Sequence, residues 1–255
     1  MNEAHLYKVL LVSVAVLAAV IFPSLLFITA PYGRHARASF GVTIGSTLGW
    51  VIMEAPCAIV FGLCYLFGEQ KSVPESIIFL FLWEAHYLYR AFIFPFRLRG
   101  GQRQMPLLVA VFGALFTLGN SYLNGRYLFS FAPPHLASGA WARDPRFYVG
   151  IALFVTGYAI NQWADHVLFH LRKPGETGYK IPRGGLYELI SCPNCFGELI
   201  EWFGWAILTW SPAGLCFALW TAANLLPRAR SHHRWYKERF ADYPAKRRAI
   251  IPLLF

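Results

Sequence analysis

Residues 6–29 read LYKVLLVSVAVLAAVIFPSLLFIT and carry a single charge, Lys8. About 20 consecutive apolar residues let a helix cross the hydrocarbon core of a bilayer. The run is also longer than the apolar core of a secretory signal, so it reads as a membrane anchor interrupted by Pro23. Six more apolar runs follow, at about 38–67, 77–94, 105–123, 147–171, 195–210 and 212–226, the last two joined by a tight turn at Ser211-Pro212. The expectation is an all-α, polytopic membrane bundle of seven transmembrane helices, forming a single domain over residues 1–255.

Composition agrees with lipid as the solvent. Hydrophobic residues make up 56% of the 255-residue chain and charged residues 14%, against about 25% charged in a soluble domain. With seven crossings, 17 of the 23 lysines and arginines fall on one side, in the segments 34–37, 97–103, 172–183 and 228–248. Five fall on the other side, and Arg90 lies within a span. Cytoplasmic loops carry the basic excess, so the N-terminus is expected outside and the C-terminus in the cytoplasm. The net charge of +10 then reflects topology, anionic headgroups or a bound anionic cofactor, not nucleic acid, because no basic region stands apart from the spans.

Five cysteines, an odd number with three in apolar runs, imply no disulfide framework. Cys192-Pro-Asn-Cys195 has a redox spacing without the βαβ context such a motif needs. Gly41, Gly45 and Gly49 recur every fourth residue and read as a small-residue packing stripe on the second helix. Residues 124–146, with Pro133-Pro134, read as the longest outer loop.

Ionisable groups inside a membrane cost about 2.5–3.5 kcal/mol each on insertion scales. They persist where they face a cavity or a partner. Here Glu54, Glu84, His86, Tyr87, Arg90, Asn161, Asp165, His166, His170, Glu198 and Glu201 all fall within apolar runs, which predicts a polar, ligand-filled cavity inside the bundle. Asn161 and Asp165 share a helix face, and Asn194, Glu198, Glu201 and Trp205 form one stripe. Each could instead be a helix–helix contact; the set as a whole points to a site. His166 and His170 have a chelating spacing and His232-His233 adds two more, but the His-x-x-His-His clusters of membrane di-iron desaturases are absent, and no metal is expected.

No glycine-rich dinucleotide loop follows a strand and no phosphate-binding P-loop exists. Yet Leu171-Arg-Lys-Pro-Gly-Glu176 ends a helix with two cations, Gly184-Gly185 permits close backbone approach, and the tail from Arg228 to Arg234 adds cations beside Trp235 and Tyr236. Such residues suit phosphates and an aromatic base.

These segments resemble a known family. Residues 171–186, LRKPGETGYKIPRGGL, residues 197–202, GELIEW, residues 232–236, HHRWY, with Asp242-Tyr-Pro244 and Ile251-Pro252, look like the steroid 5α-reductases, as a bacterial-type member. The likeness is densest over about 148–255 and extends to Glu54-Ala-Pro56, His86-Tyr87 and Arg90. It implies a seven-helix bundle that NADPH enters from the cytoplasmic side. The family's cofactor pattern carries over to Asn161, Asp165, Arg172, Tyr179, Lys180, Asn194, Glu198, Arg228, His232 and Tyr236, with Arg99 or Arg103 as a further phosphate contact. Its catalytic, substrate-polarising pair carries over to Glu54 and Tyr87. Lys180 stands where relatives often have Arg, and Met53 where they usually have Gln.

The implied reaction is conjugate reduction of a 3-oxo-4-ene steroid, with hydride added at carbon 5 and the carbonyl oxygen stabilised by Tyr87 and a neutral Glu54. The implied partners are the steroid, NADPH and the bilayer, for a monomer in a bacterial inner membrane or the endoplasmic reticulum membrane. An enoyl-CoA or polyprenol reductase, an S-adenosylmethionine-dependent membrane methyltransferase and a non-catalytic sterol-binding protein are the alternative readings.

Overall fold

The computed structural model describes residues 2–31, 33–35, 41–98, 104–173, 176 and 178–255. The chain runs through helices α1 (Glu3–Phe27), α2 (Ser46–Leu66), α3 (Pro74–Phe92), a short α4 (Phe94–Arg97), α5 (Leu107–Phe129), a short α6 (Pro134–Ala137), α7 (Pro145–His170), α8 (Pro193–Thr209) and α9 (Pro212–Arg239). Two three-residue strands, β1 (Thr43–Gly45) and β2 (Gln104–Pro106), pair antiparallel. By length and composition, α1, α2 and α5 are long and apolar enough to cross a membrane.

The polarity is distributed inside out. Val12, Val16, Ile59, Leu63, Phe112 and Leu115 are exposed, whereas Glu75, His86, Asn124, Asn161, Asp165 and Glu201 are buried. In water that arrangement would leave an apolar surface unpaid for; beside lipid it satisfies both solvents. Trp83, Trp202 and Trp205 are fully buried at the centre, packed against Phe61, Phe154 and Phe217.

Local chemistry sets the helix ends. Asn2, Asp144 and Ser211 cap α1, α7 and α9 by accepting from His5 N, Arg146 N and Gly214 N. Proline opens α3, α7, α8 and α9, where its missing N–H costs nothing. Trp210, in the left-handed region with φ 44°, makes the tight turn before Ser211.

Three expectations about boundaries change. The second helix begins at Ser46, not near residue 38: Thr43 and Ile44, β-branched and extended, pair with Pro106 and Met105 instead. Gly41 and Gly45 therefore lie outside the helix, and only Gly49 packs on a neighbour, the Met105 side chain. The fourth apolar run continues as helix to Phe129, which shortens the outer loop, because Arg126 at its end is held by Glu3 and Ser130. The last helix passes through Pro227 to Arg239; Ala229, Ser231 and Tyr236 bury one face of the segment that reads as a polar tail in the sequence.

The closest packing is between α7 and α8. A Cβ at Gly157 would lie 2.3 Å from Glu201 N, and one at Gly197 would lie 2.5 Å from Asn161 N. Gly150 and Gly204 make the same backbone approach to Leu208 and Phe154. This four-glycine seam is the small-residue interface of the fold. It sets Asn161 and Asp165 of α7 beside Asn194 and Glu198 of α8. At one end of the bundle Glu3 pairs with Arg126 and Trp141 donates to Leu208 O. At the other, Arg228 donates to Ala30 O, and Thr29 and Ser231 share a hydrogen bond.

Candidate active site

The second of these ends opens into a cavity of about 430 Å³, within the usual range for ligand pockets of about 300–1,000 Å³. Its walls include Asp165, Arg172, Tyr179, Lys180, Asn194, Arg228, His232 and Tyr236. Three separate stretches of the chain, residues 165–180, Asn194 and residues 228–236, thus meet in one place. Asn194 donates to Asp165 Oδ1 at 3.1 Å, and Asn161, one layer behind, donates to Asn194 O at 3.0 Å. Arg172 donates to Gly178 O, Arg228 to Ala30 O, and Lys180 pairs with Glu176. Arg99 and Arg103 lie outside the described residues.

Arg34 completes the cradle, although its place in the sequence marks only the topology. Its guanidinium lies 5.3 Å, 5.1 Å and 4.6 Å from the rings of Tyr179, Trp235 and Tyr236. Its Nη1 is buried without a hydrogen-bond partner. A cation ringed by aromatics at a loop offers no local spacing by which sequence could assign it. Arg34, Arg172, Lys180 and Arg228 make a four-cation wall suited to a polyanion.

His232 stacks on His35 with 3.0 Å between Nε2 of His35 and Nδ1 of His232. Burial, and then the Arg34, Arg228 and His35 charges around it, hold its pKa well below the ordinary histidine value. A lowered base takes up its proton later in the folded than in the unfolded chain. Stability therefore falls as pH drops below about 6.5 and is fully present above it. Thermal melts of the ligand-free protein should show that acid loss, and His232→Gln should flatten it; an unchanged acid slope would discount the residue.

A second cavity, about 150 Å³, lies on the other side of Arg90, between α2, α3, α5, α8 and α9. Glu54, His86, Tyr87, Arg90, Thr117, Glu198 and Asn224 give it polar corners, and Phe116, Phe217, Trp220 and Leu225 its apolar walls. Glu54 and Tyr87 are thus brought together, and Glu198 lines this cavity, not the larger one. Met53 is also in the wall, with its side chain against Gly113. Of the predicted α8 stripe, Asn194 meets Asp165, Glu198 meets Arg90, Glu201 meets His86 at 2.8 Å, and Trp205 donates to Asn124.

Arg90 stands between the two cavities. Its nitrogens lie 3.8 Å from Glu54, 3.9 Å from Asp165 and 3.9 Å from Glu198, and its guanidinium sits 4.6 Å and 4.4 Å from the Trp50 and Phe94 rings. One residue thus couples the acid of the inner cavity to the floor of the outer one.

Two predicted pairs of contributors stand elsewhere. His166 and His170 are exposed on the outer face of α7, their rings 4.1 Å apart, so neither enters the polar interior. Gly184 and Gly185 do adopt positive φ, but the group that approaches Gly185 is the Trp163 ring. They shape the α7–α8 connection and do not line either cavity.

A partly buried acid, Glu54, and a buried phenol, Tyr87, share one cavity of a helical, membrane-type protein, and Arg90 joins that cavity to a cationic cradle. The profile of the family described as 3-oxo-5-alpha-steroid 4-dehydrogenase matches residues 103–255. The chain is 43% identical over 228 residues to 3-oxo-5-alpha-steroid 4-dehydrogenase 1 of Macaca fascicularis, covering 88% of this chain and 84% of that one. It is 40% identical over 260 residues to steroid 5-alpha-reductase DET2 of Gossypium hirsutum, covering 100% and 99%. It is 43% identical over 230 residues to 3-oxo-5-alpha-steroid 4-dehydrogenase 1 of Homo sapiens, covering 88% and 86%. The chain belongs to the 3-oxo-5-alpha-steroid 4-dehydrogenase family, oxidoreductases acting on CH–CH groups. These relatives are mammalian and plant proteins, and the likeness marks out no bacterial subgroup.

Proposed function

We propose that this chain reduces the 4,5 double bond of 3-oxo-4-ene steroids to 5α-dihydrosteroids with NADPH. The observation that carries the reading is the position of Arg90 between the cationic cradle and the Glu54–Tyr87 cavity. Arg34 Nη1 and Asp165 Oδ2, which make no hydrogen bond within the described residues, fit a ligand with both anionic and donor groups. Arg34, Arg172, Lys180 and Arg228 would hold the phosphates, and Asp165 and Asn194, backed by Asn161, the amide-bearing end; Arg99 or Arg103 is proposed as a further phosphate contact. NADPH, when bound, supplies the hydride.

The residues of the chain do the rest. Tyr87 and a protonated Glu54 donate to the carbonyl oxygen as negative charge develops there, in a chamber where such donors are worth most. Phe116, Phe217 and Trp220 exclude water and hold the apolar ring system. Glu198 and Asp165 fix Arg90 and so the boundary between the two ligands. The proposed setting is one domain of seven membrane crossings, N-terminus outside and cradle in the cytoplasm, acting as a monomer in a bacterial inner membrane or the endoplasmic reticulum.

The test is purified protein with NADPH and progesterone or testosterone, following loss of reduced-nicotinamide absorbance and the product's stereochemistry. A 5α-dihydro product is expected, and Arg34→Gln should weaken NADPH affinity about tenfold or more, the loss of one or two charge-assisted contacts. Turnover of an enoyl-CoA or polyprenol with no steroid product would displace the substrate assignment; full affinity in Arg34→Gln would displace the cradle.

A further inference from the structure

Behind Tyr87 lies an ionisable pair that the roles above leave unused. His86 Nδ1 is 2.8 Å from Glu201 Oε1, Glu201 is fully buried, and its Oε2 has no hydrogen-bond partner. A carboxylate so enclosed is costly unless its charge is met. The pair is therefore satisfied when it holds one proton, as imidazolium against carboxylate or imidazole against carboxylic acid. His86 is also a wall of the inner cavity, its ring 4.9 Å from that of Tyr87. The titratable and charged groups facing it are Glu54 from α2, Tyr87 and Arg90 on its own helix, Tyr158 from α7, and Glu198 and Glu201 from α8. With Nδ1 engaged by Glu201, Nε2 is the nitrogen left to serve the cavity.

We propose that His86 is the general acid that delivers the proton taken up at carbon 4 of the substrate, with Glu201 as its positioning residue. The step rests on the function proposed above. On reduction by hydride from a reduced nicotinamide, a C5–H bond forms, the C4–C5 π pair moves to C3–C4, and the carbonyl π pair moves to oxygen. That oxygen pair then re-forms the carbonyl while the C3–C4 π pair takes the Nε2 proton at carbon 4. One hydride and one proton are consumed, and the His86–Glu201 pair regains its proton from water.

The test uses the full chain in lipid nanodiscs with a 3-oxo-4-ene steroid and NADPH. Wild-type turnover decides the substrate reading, and its absence would remove this step along with it. Given wild-type turnover, His86→Gln should lower single-turnover reduction about 10²–10⁴-fold, the usual contribution of a general acid, with NADPH affinity unchanged. Imidazole in the buffer should restore part of the activity of His86→Gly. Glu201→Gln should move the alkaline limb of the pH–rate profile to lower pH, because the one proton that His86 and Glu201 share is lost sooner from the imidazole alone. The ¹⁵N signal of His86 in ligand-free protein should shift the same way, a readout independent of turnover. Near wild-type turnover in His86→Gln overturns the proposal. So does a Glu201→Gln profile and ¹⁵N titration that match wild type, which also decides the matter if the His86 variants do not fold.

Discussion

Tyr87→Phe and Glu54→Gln should each lower kcat about 10²–10³-fold, the measured cost of removing one oxyanion donor, while NADPH affinity stays where it is. The separation of the cavities is the reason. Both residues line the inner chamber, and neither is among the walls of the cationic cradle. Phenylalanine keeps the ring that packs on Trp83, His86 and Trp202 and removes only the hydroxyl. Glutamine keeps the shape of Glu54 and a weaker donor, so its loss should be the smaller of the two. The double variant should lose less than the product of the singles, because groups that stabilise one oxygen act as a unit. Stopped-flow reduction and equilibrium cofactor binding read the two quantities separately. Loss of cofactor in both single variants would argue against this division of labour.

The second large effect is expected at the α7–α8 seam. Leucine at Gly157 or Gly197 should abolish recovery of folded protein, and Gly197→Ala should lower the melting temperature by several degrees. The displaced partner in each case is backbone, 2.3 Å and 2.5 Å from the added Cβ, and backbone cannot rotate away as a side chain can. Overpacking costs about 1–3 kcal/mol, and each kcal/mol moves a domain of this size by about 2–4 °C. Gly119→Ala is the control, since nothing lies within 4 Å of its Cβ. Parting the helices also parts Asp165 from Asn194, so Gly197→Ala should bind NADPH more weakly. Equal melting temperatures for Gly197→Ala and Gly119→Ala would show that the seam is not as tight as these distances require.

Much of the architecture is legible along the chain because lipid imposes a local rule. A helix must satisfy its own backbone groups and show apolar side chains outward, so the apolar runs announce helices such as α1, α7 and α8 within a few residues. The same rule exposes the site. Polar groups at such positions as Glu54, Tyr87, Asp165 and Glu201 stand out because lipid tolerates them only when they turn inward. His166 and His170 show where that inference stops: they lie near a helix end, where exposure costs little.

What sequence could not supply is everything that depends on which helix lies beside which. Gly150, Gly157, Gly197 and Gly204 look ordinary singly and become a seam only when α7 meets α8, while the regular Gly41, Gly45 and Gly49 spacing falls mostly outside any helix. Arg34 enters the cradle because α1 delivers its loop to Tyr179 and Tyr236. Arg90 acquires its position from three acidic side chains on α2, α7 and α8. Sequence by itself indicated an apolar solvent, the approximate places of the long helices and a set of candidate polar residues, since each follows from transfer of a local segment between water and lipid. Tertiary structure alone divided those residues between two cavities and placed a single guanidinium at their boundary, since electrostatic contact depends on distance in space and not on separation along the chain.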